Sequence, residues 1–188
     1  MNYAEQYRSE LLKAIGSIDF QNVGRAIGWL KEARDEGRQI FVCGNGGSAS
    51  TASHFATDMV KGASFNKPKR FRILALTDSL STISAYANDV SYEAVFVAQL
   101  KNFAQPGDVV IGISGSGNSP NVLRAIEYGR SIDCRTIALT GRDGGKLGPL
   151  AELNIHVSSP HMGRIEDGHM IVCHILCYFF MDCEEQGA

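Results

Sequence analysis

Gln39-Ile40-Phe41-Val42-Cys43-Gly44-Asn45-Gly46-Gly47-Ser48 is the stretch whose reading decides the fold. An apolar run suited to a buried strand passes straight into a loop of glycines and small polar residues, and a helical pattern follows. The same order recurs at Val109-Val110-Ile111-Gly112-Ile113, followed by Ser114-Gly115-Ser116-Gly117-Asn118-Ser119 and a helix start at Pro120. Short apolar strands that alternate with helices are the units of a parallel sheet covered on both faces. A helix that opens on such a loop presents free backbone N–H groups, and glycine lets an anion approach them. Two such loops point to a phosphorylated ligand. The serines of the second point to a phosphate monoester held by hydroxyls as well as amides.

Working outward, β-rich runs at 72–76, 134–139 and 153–157 bring the strands to five, with 39–43 and 109–113. Leu11, Leu12 and Ile15, then Val23, Ile27 and Leu30, recur at helical spacing and predict helices over 3–15 and 20–35. Asp19 is the expected cap of the second and Gly37 its stop. Ser119-Pro120 reads as a serine cap with proline at the first helical position. Gln105-Pro106-Gly107-Asp108 reads as a turn. No linker, repeat or low-complexity segment interrupts the chain. The expected architecture is α/β: one domain over 1–188, with a five-stranded parallel sheet, helices on both faces and an N-terminal helical pair over 1–36. Apolar residues of that pair predict contacts between subunits, hence an oligomer.

The bulk numbers fit this reading. The chain has 188 residues, 44% hydrophobic and 20% charged, with a net charge of −2. That balance gives no reason to expect nucleic acid as a partner, and Lys67-Pro68-Lys69-Arg70-Phe71-Arg72 reads as a solvated loop entering a strand. Five cysteines, with no Cys-x-x-Cys pair, read as reduced core residues of a cytoplasmic protein. Cys173 and Cys177, four apart in an apolar helix, read as packing rather than as metal ligands. The polar N-terminus does not read as a signal peptide. The apolar run Met170–Met181 is too short for a membrane span, which needs about 20 residues, so a buried helix is expected there.

Gly44-Asn45-Gly46-Gly47-Ser48-Ala49 also fits the loose dinucleotide fingerprint G-x-G-x-x-A. An acidic residue, Asp78, ends the next strand, but it lies 29 positions beyond Ala49, where about 20 is usual. A dinucleotide also leaves the second loop unexplained, so no nucleotide cofactor is expected.

His54 and Asp58 are four apart on the helix opened by the first loop, on one face. Glu166 and His174 are eight apart, which is about 80° around a helix. His174 lies among apolar residues and is expected to be buried, where an imidazole needs a partner. Together these four residues form a two-histidine, two-carboxylate set suited to zinc or another divalent cation if the helices converge. Asn88-Asp89 sits in a polar break after the second strand, among loops at the carboxyl ends of strands, where such sheets bind ligands.

In order along the chain, Cys43-Gly44-Asn45-Gly46-Gly47-Ser48, His54-Phe55-Ala56, Ala87-Asn88-Asp89, Ser114-Gly115-Ser116-Gly117-Asn118-Ser119 and Arg164-Ile165-Glu166 with His174 resemble the sugar isomerase (SIS) domain. More narrowly they resemble the phosphoheptose isomerase family, over nearly the whole chain. The resemblance implies a flavodoxin-like three-layer sandwich and a homotetramer with active sites at subunit boundaries. It implies interconversion of sedoheptulose 7-phosphate and a manno-heptose 7-phosphate, as in lipopolysaccharide biosynthesis. Substrate contacts are implied at Asn45, Gly46, Gly47, Ser48, Asn88, Asp89, Ser114, Gly115, Ser116, Ser119 and Glu166. Zinc ligands are implied at His54, Asp58, Glu166 and His174, with Asp58 and His174 as acid/base candidates. A non-catalytic adaptor on the same domain, like the one that binds the bacterial replication initiator DnaA, is the alternative; such adaptors can lose the acid/base set that this chain keeps.

Two positions depart from the family pattern. The carboxylate four residues after the first histidine is usually glutamate and here is Asp58, one methylene shorter. Arg-Ile-Gln-Glu becomes Arg164-Ile165-Glu166-Asp167, so a neutral amide becomes a carboxylate. Aldose–ketose isomerisation needs a base for a carbon-bound proton and stabilisation of charge on oxygen. Asp58 or His174 is expected to move that proton, the other serving the oxygens.

Overall fold

The computed structural model describes residues 2–183. Helix α1 (Tyr3–Gly16) begins at Asn2, whose side chain and that of Glu5 cap each other's backbone N–H groups. Helix α2 (Phe20–Asp35) is capped by Asp19, as predicted, through a bond from the Gln21 N–H. Its stripe Val23, Ala26, Leu30 and Ala33 is buried, the pattern of a helix that covers a core with one face. Gly37, at φ +68°, ends the pair.

Five parallel strands follow: β1 (Gln39–Gly44), β2 (Arg72–Ala75), β3 (Val109–Ser114), β4 (Arg135–Gly141) and β5 (Leu153–Val157). They lie in the order β2-β1-β3-β4-β5, the flavodoxin-like arrangement. Helices α3 (Gly47–Thr57), α4 (Leu80–Asp89), α5 (Val97–Phe103), α6 (Pro120–Ser131), α7 (Leu147–Leu150) and α8 (Met162–Tyr178) complete the fold. Alternation along the strands divides the core in two. Ile40, Val42, Ile111, Ile113 and Leu139 pack with Leu30, Phe55, Met59, Val172 and Phe180, on the face covered by α1, α2, α3 and α8. Phe41, Cys43, Val110 and Ala138 pack with Leu100, Val122, Ile126 and Leu147 on the other. At the edge, β2 leaves Leu74 50% exposed, lining a groove of about 690 Å³ with Tyr86 and Phe103.

The strand order reverses between β1 and β3. Connections from these neighbours leave in opposite directions, so the loops after them face one crevice at the carboxyl end of the sheet. Both helices that border the site end in a π turn: Asp58–Gly62 after α3 and Phe179–Cys183 after α8. The expected apolar helix is α8, which starts earlier than the apolar run, at Met162. All five cysteines are free, and burial pushes the Cys43 and Cys173 thiols up to about 12. The basic stretch 67–72 is tied down, Lys69 to Asp35 at 3.1 Å and Arg72 to the Gly37 carbonyl at 3.0 Å. No helix among the described residues is long and apolar enough to cross a membrane.

The buried histidine of α8 is His169, 1% exposed. Its Nε2 lies 3.0 Å from the Thr140 carbonyl oxygen, which accepts only a donor, so the neutral ring carries its proton there. Burial pushes its pKa down to about 4, against about 6.5 in an unfolded chain. The folded state resists protonation that the unfolded state accepts. Stability contributed by neutral His169 is therefore full above pH ~6.5 and falls as pH drops towards 4, by on the order of 3 kcal/mol. Denaturant unfolding across that range is expected to show a shallower loss in His169→Gln than in the wild type; identical slopes would exclude this histidine as the source.

Candidate active site

The first loop does not stand open as a bare anion cradle. Gly46, at φ +55°, turns the chain into α3, and the Ser48 and Ala49 N–H groups bond back to the Asn45 and Gly46 carbonyls at 3.0 Å each. Glu166, from the first turns of α8, lies against Gly47, where a Cβ would collide with its carboxylate. A carboxylate at a helix N-terminus is favoured by the exposed N–H groups and the helix dipole. The protein thus brings its own anion to this loop, and glycine is needed for the close approach.

The second loop keeps its hydroxyls together. Ser114 Oγ lies 3.0 Å from Ser119 Oγ and 3.4 Å from Ser116 Oγ. Ser119 is the N-cap residue of α6, yet its side chain makes no cap bond; its hydroxyl turns to Ser114 instead of to the helix. That corrects the expected serine cap and leaves three hydroxyls converging. Gly117, at φ +65°, lets the loop press against the backbone of Gly144, and the Leu147 N–H holds its carbonyl at 2.9 Å. The two loops, with Met162 and Glu166, line one cavity of about 300 Å³ that includes Asn45, Gly46, Gly47, Ser48, Ser114, Gly115, Ser116 and Ser119.

Beyond the loops, α3 packs on α8 and brings a second cluster together. His54 Nε2 lies 3.1 Å from Asp58 Oδ2 and 3.3 Å from His174 Nε2, and His174 Nε2 lies 3.9 Å from Asp58 Oδ2. Two imidazole nitrogens this close to each other and to a carboxylate can share hydrogen bonds or hold a cation between them. Tetrahedral zinc with bonds of about 2.0–2.1 Å spaces its ligand atoms about 3.3–3.4 Å apart, close to these separations. The group could therefore hold a metal ion, with three protein ligands and an open position, as catalytic sites have.

Several expectations need correction. His174 is not buried: its side chain is 43% exposed, because it leaves the apolar stripe of α8 and points to the rim beside His54. Glu166 is not brought to the three-residue cluster. Eight helical residues separate it from His174, about 12 Å of rise, and its carboxylate is seated at Gly47. Asn88 and Asp89 do not occupy a polar break but the last turn of α4, exposed and bonded to each other at 2.7 Å. They lie outside the lining of the 300 Å³ cavity. Asp167 accepts a 2.6 Å bond from the Tyr7 hydroxyl of α1, and this bond raises the Tyr7 pKa. Asp78 is taken by the Ser53 hydroxyl of α3.

Sequence reasoning missed Asn121 and Tyr92. Asn121, 2% exposed, pairs with Asn45 through two side-chain bonds of 2.8 and 2.9 Å. The Tyr92 hydroxyl adds a third to Asn45 at 2.9 Å. An asparagine in the first turn of an amphipathic helix reads as solvent-facing, and no local pattern marks it as a partner for a residue 76 positions away.

A profile of the SIS domain family matches residues 2–141. Phosphoheptose isomerase from Helicobacter hepaticus is 40% identical over 166 residues, covering 88% of this chain and 84% of that protein. A probable phosphoheptose isomerase from Thermoplasma acidophilum is 38% identical over 174 residues, covering 93% and 95%. Among solved structures, phosphoheptose isomerase GmhA from Neisseria gonorrhoeae matches with a TM-score of 0.86 at 32% identity, over 94% of this chain and 96% of that one. The chain belongs to the SIS domain family and, within it, to the phosphoheptose isomerases.

Gly47→Ala tests the seat of Glu166. The collision is with the end of a flexible side chain, so Glu166 swings away and the unfolding free energy stays within about 1 kcal/mol. The misplaced carboxylate is expected to lower kcat/KM by about 10-fold or more. Unchanged kinetics would show that the seat does not matter to turnover.

Proposed function

We propose that this chain is an aldose–ketose isomerase that interconverts sedoheptulose 7-phosphate and D-glycero-D-manno-heptose 7-phosphate through an enediol. One observation carries this reading: helix α8 borders, through Glu166, a cavity with a converging hydroxyl cluster suited to phosphate and, through His174, a His54/Asp58/His174 cluster suited to a metal and to proton transfer. The name shared by its relatives supports the heptose phosphate as substrate. Retention of the second cluster argues against the adaptor alternative.

The phosphate is assigned to the Ser114, Ser116 and Ser119 hydroxyls, which anchor the substrate away from its reacting end. Glu166, on the cavity wall, is assigned to a sugar hydroxyl. His54, Asp58 and His174 are the residues that would hold zinc, which supplies Lewis-acid polarisation of the carbonyl when bound. Asp58 directs Oδ2 at the histidines, which leaves Oδ1 to accept a proton. A carboxylate is an acceptor at neutral pH, so Asp58 is assigned the carbon-bound proton, taken from C1 or C2 and returned to the other carbon. His174 turns Nε2 to the cluster, so it is assigned to serve O1 and O2 through its other ring nitrogen, as a hydrogen-bond donor to the oxygen that carries the developing charge. The free cysteines support a reducing, cytoplasmic setting. Contacts between subunits are supported by Tyr3, Leu12 and Phe20 on the N-terminal pair, 73%, 62% and 50% exposed, and the resemblance to the family makes the assembly a homotetramer in this reading.

Purified protein is expected to convert sedoheptulose 7-phosphate, to lose turnover with a chelator and to regain it with zinc. No turnover of any ketose or aldose phosphate under either condition would sink the reading. Asp58→Asn is expected to lower kcat by about 100-fold or more with phosphate binding kept; normal turnover would remove Asp58 from the chemistry. Ser116→Ala is expected to raise KM by about 10-fold with little change in kcat, and an unchanged KM would contradict the phosphate assignment.

A further inference from the structure

The hydrogen bonds around Asn45 fix which way its amide points. The Val122 backbone N–H lies 3.0 Å from one side-chain atom of Asn121. A backbone N–H can only donate, so that atom is Oδ1. The same oxygen accepts from Asn45 Nδ2 at 2.8 Å, so the Asn121 nitrogen faces Asn45 Oδ1, to which it donates at 2.9 Å. The Tyr92 hydroxyl donates to that oxygen as well, at 2.9 Å. Both lone pairs of Asn45 Oδ1 are then filled, and one N–H of Asn45 Nδ2 is committed to Asn121. One N–H remains on a side chain that lines the 300 Å³ cavity.

Three separate segments meet in this network: the loop after β1, the turn after α4 and the first turn of α6. Buried Asn121 and the Val122 N–H form its rigid base, since an unpaired polar group there would carry a desolvation cost. Tyr92, 54% exposed, is its outer end.

We propose that Asn121 and Tyr92 are positioning residues that lock Asn45 as a one-donor contact, so that this wall of the cavity reads a hydrogen-bond acceptor, a sugar oxygen of the substrate. The phosphate is assigned to the converged serine hydroxyls, which leaves a sugar oxygen as the acceptor here. The proposal rests on the isomerase reading and extends it to residues that do not themselves face the ligand.

A double-mutant cycle tests it, with Tyr92→Phe, Asn121→Ala and Asn45→Ala alone and in pairs. Measured are kcat/KM for sedoheptulose 7-phosphate, inhibition by inorganic phosphate and the thermal midpoint. Tyr92→Phe removes one exposed hydroxyl and is expected to lower kcat/KM by about 3- to 10-fold, and Asn121→Ala by about 10- to 100-fold. In the Asn45→Ala background each change is expected to matter less than about twofold, because its effect passes through Asn45. Inhibition by phosphate is expected to stay within about twofold throughout. Losses that multiply in the Asn45→Ala background, or phosphate inhibition that weakens in step with kcat/KM, would overturn the proposal. Should Asn121→Ala fail to fold, the Tyr92→Phe arm decides alone. A wild type without isomerase activity rejects the functional reading instead, and the same cycle is then read on the Kd for sedoheptulose 7-phosphate.

Discussion

Helix α8 returns from the far edge of the sheet to lie on α3, and the apolar seam between them sets where the polar groups of the site meet. Val172, Cys173, Leu176 and Phe180 share one buried cluster with Phe55, Ala56 and Met59. Burying side chains of this kind stabilises by roughly 1.5–3 kcal/mol each, so the seam fixes the two helices whose rim carries the histidines and the carboxylate. The same helix carries Glu166 at its start and His174 near its end. Its position on α3 therefore sets both the seat at Gly47 and the cluster at His54 and Asp58.

The two loops that look alike in composition have different partners. The loop after β1 spends part of its capacity on its own turn, and its helix N-terminus meets the Glu166 carboxylate. The loop after β3 gives its carbonyl and glycine contacts to the α7 region and keeps three serine hydroxyls in reach of one another. Charge explains the division. The first loop has the Glu166 carboxylate against its helix start, whereas the second offers neutral hydroxyls. The departures at 166 and 167 separate in the same way. Glu166 faces the cavity, while Asp167 turns to Tyr7 and fastens α8 to α1.

Much of this was legible in the chain. Strand positions follow from apolar runs bounded by turn residues, and Asp19 announces the start of α2 because a capping carboxylate acts within its own turn. His54 and Asp58 were readable as a pair because a four-residue spacing on a helix is a geometric fact. Other features were hidden. His174 looks buried from its neighbours, yet one helical position faces the rim while those beside it face the core. Ser119 looks like a cap, yet its hydroxyl has a better partner across the loop. Asn88 and Asp89 look like a break, yet they continue α4.

By itself the sequence determined which segments become strands and helices, where small residues open helix starts, and which side-chain types are available to bind a metal or move a proton. These depend on local spacing, backbone freedom and side-chain type, all present within a few residues. Tertiary structure alone decided the strand order, with its reversal between β1 and β3, the meeting of His174 with His54 and Asp58, the seat of Glu166 on Gly47, and the amide pair of Asn45 and Asn121. Each joins residues far apart in the chain, and such contacts are set by how helices pack on a sheet, which no local pattern encodes.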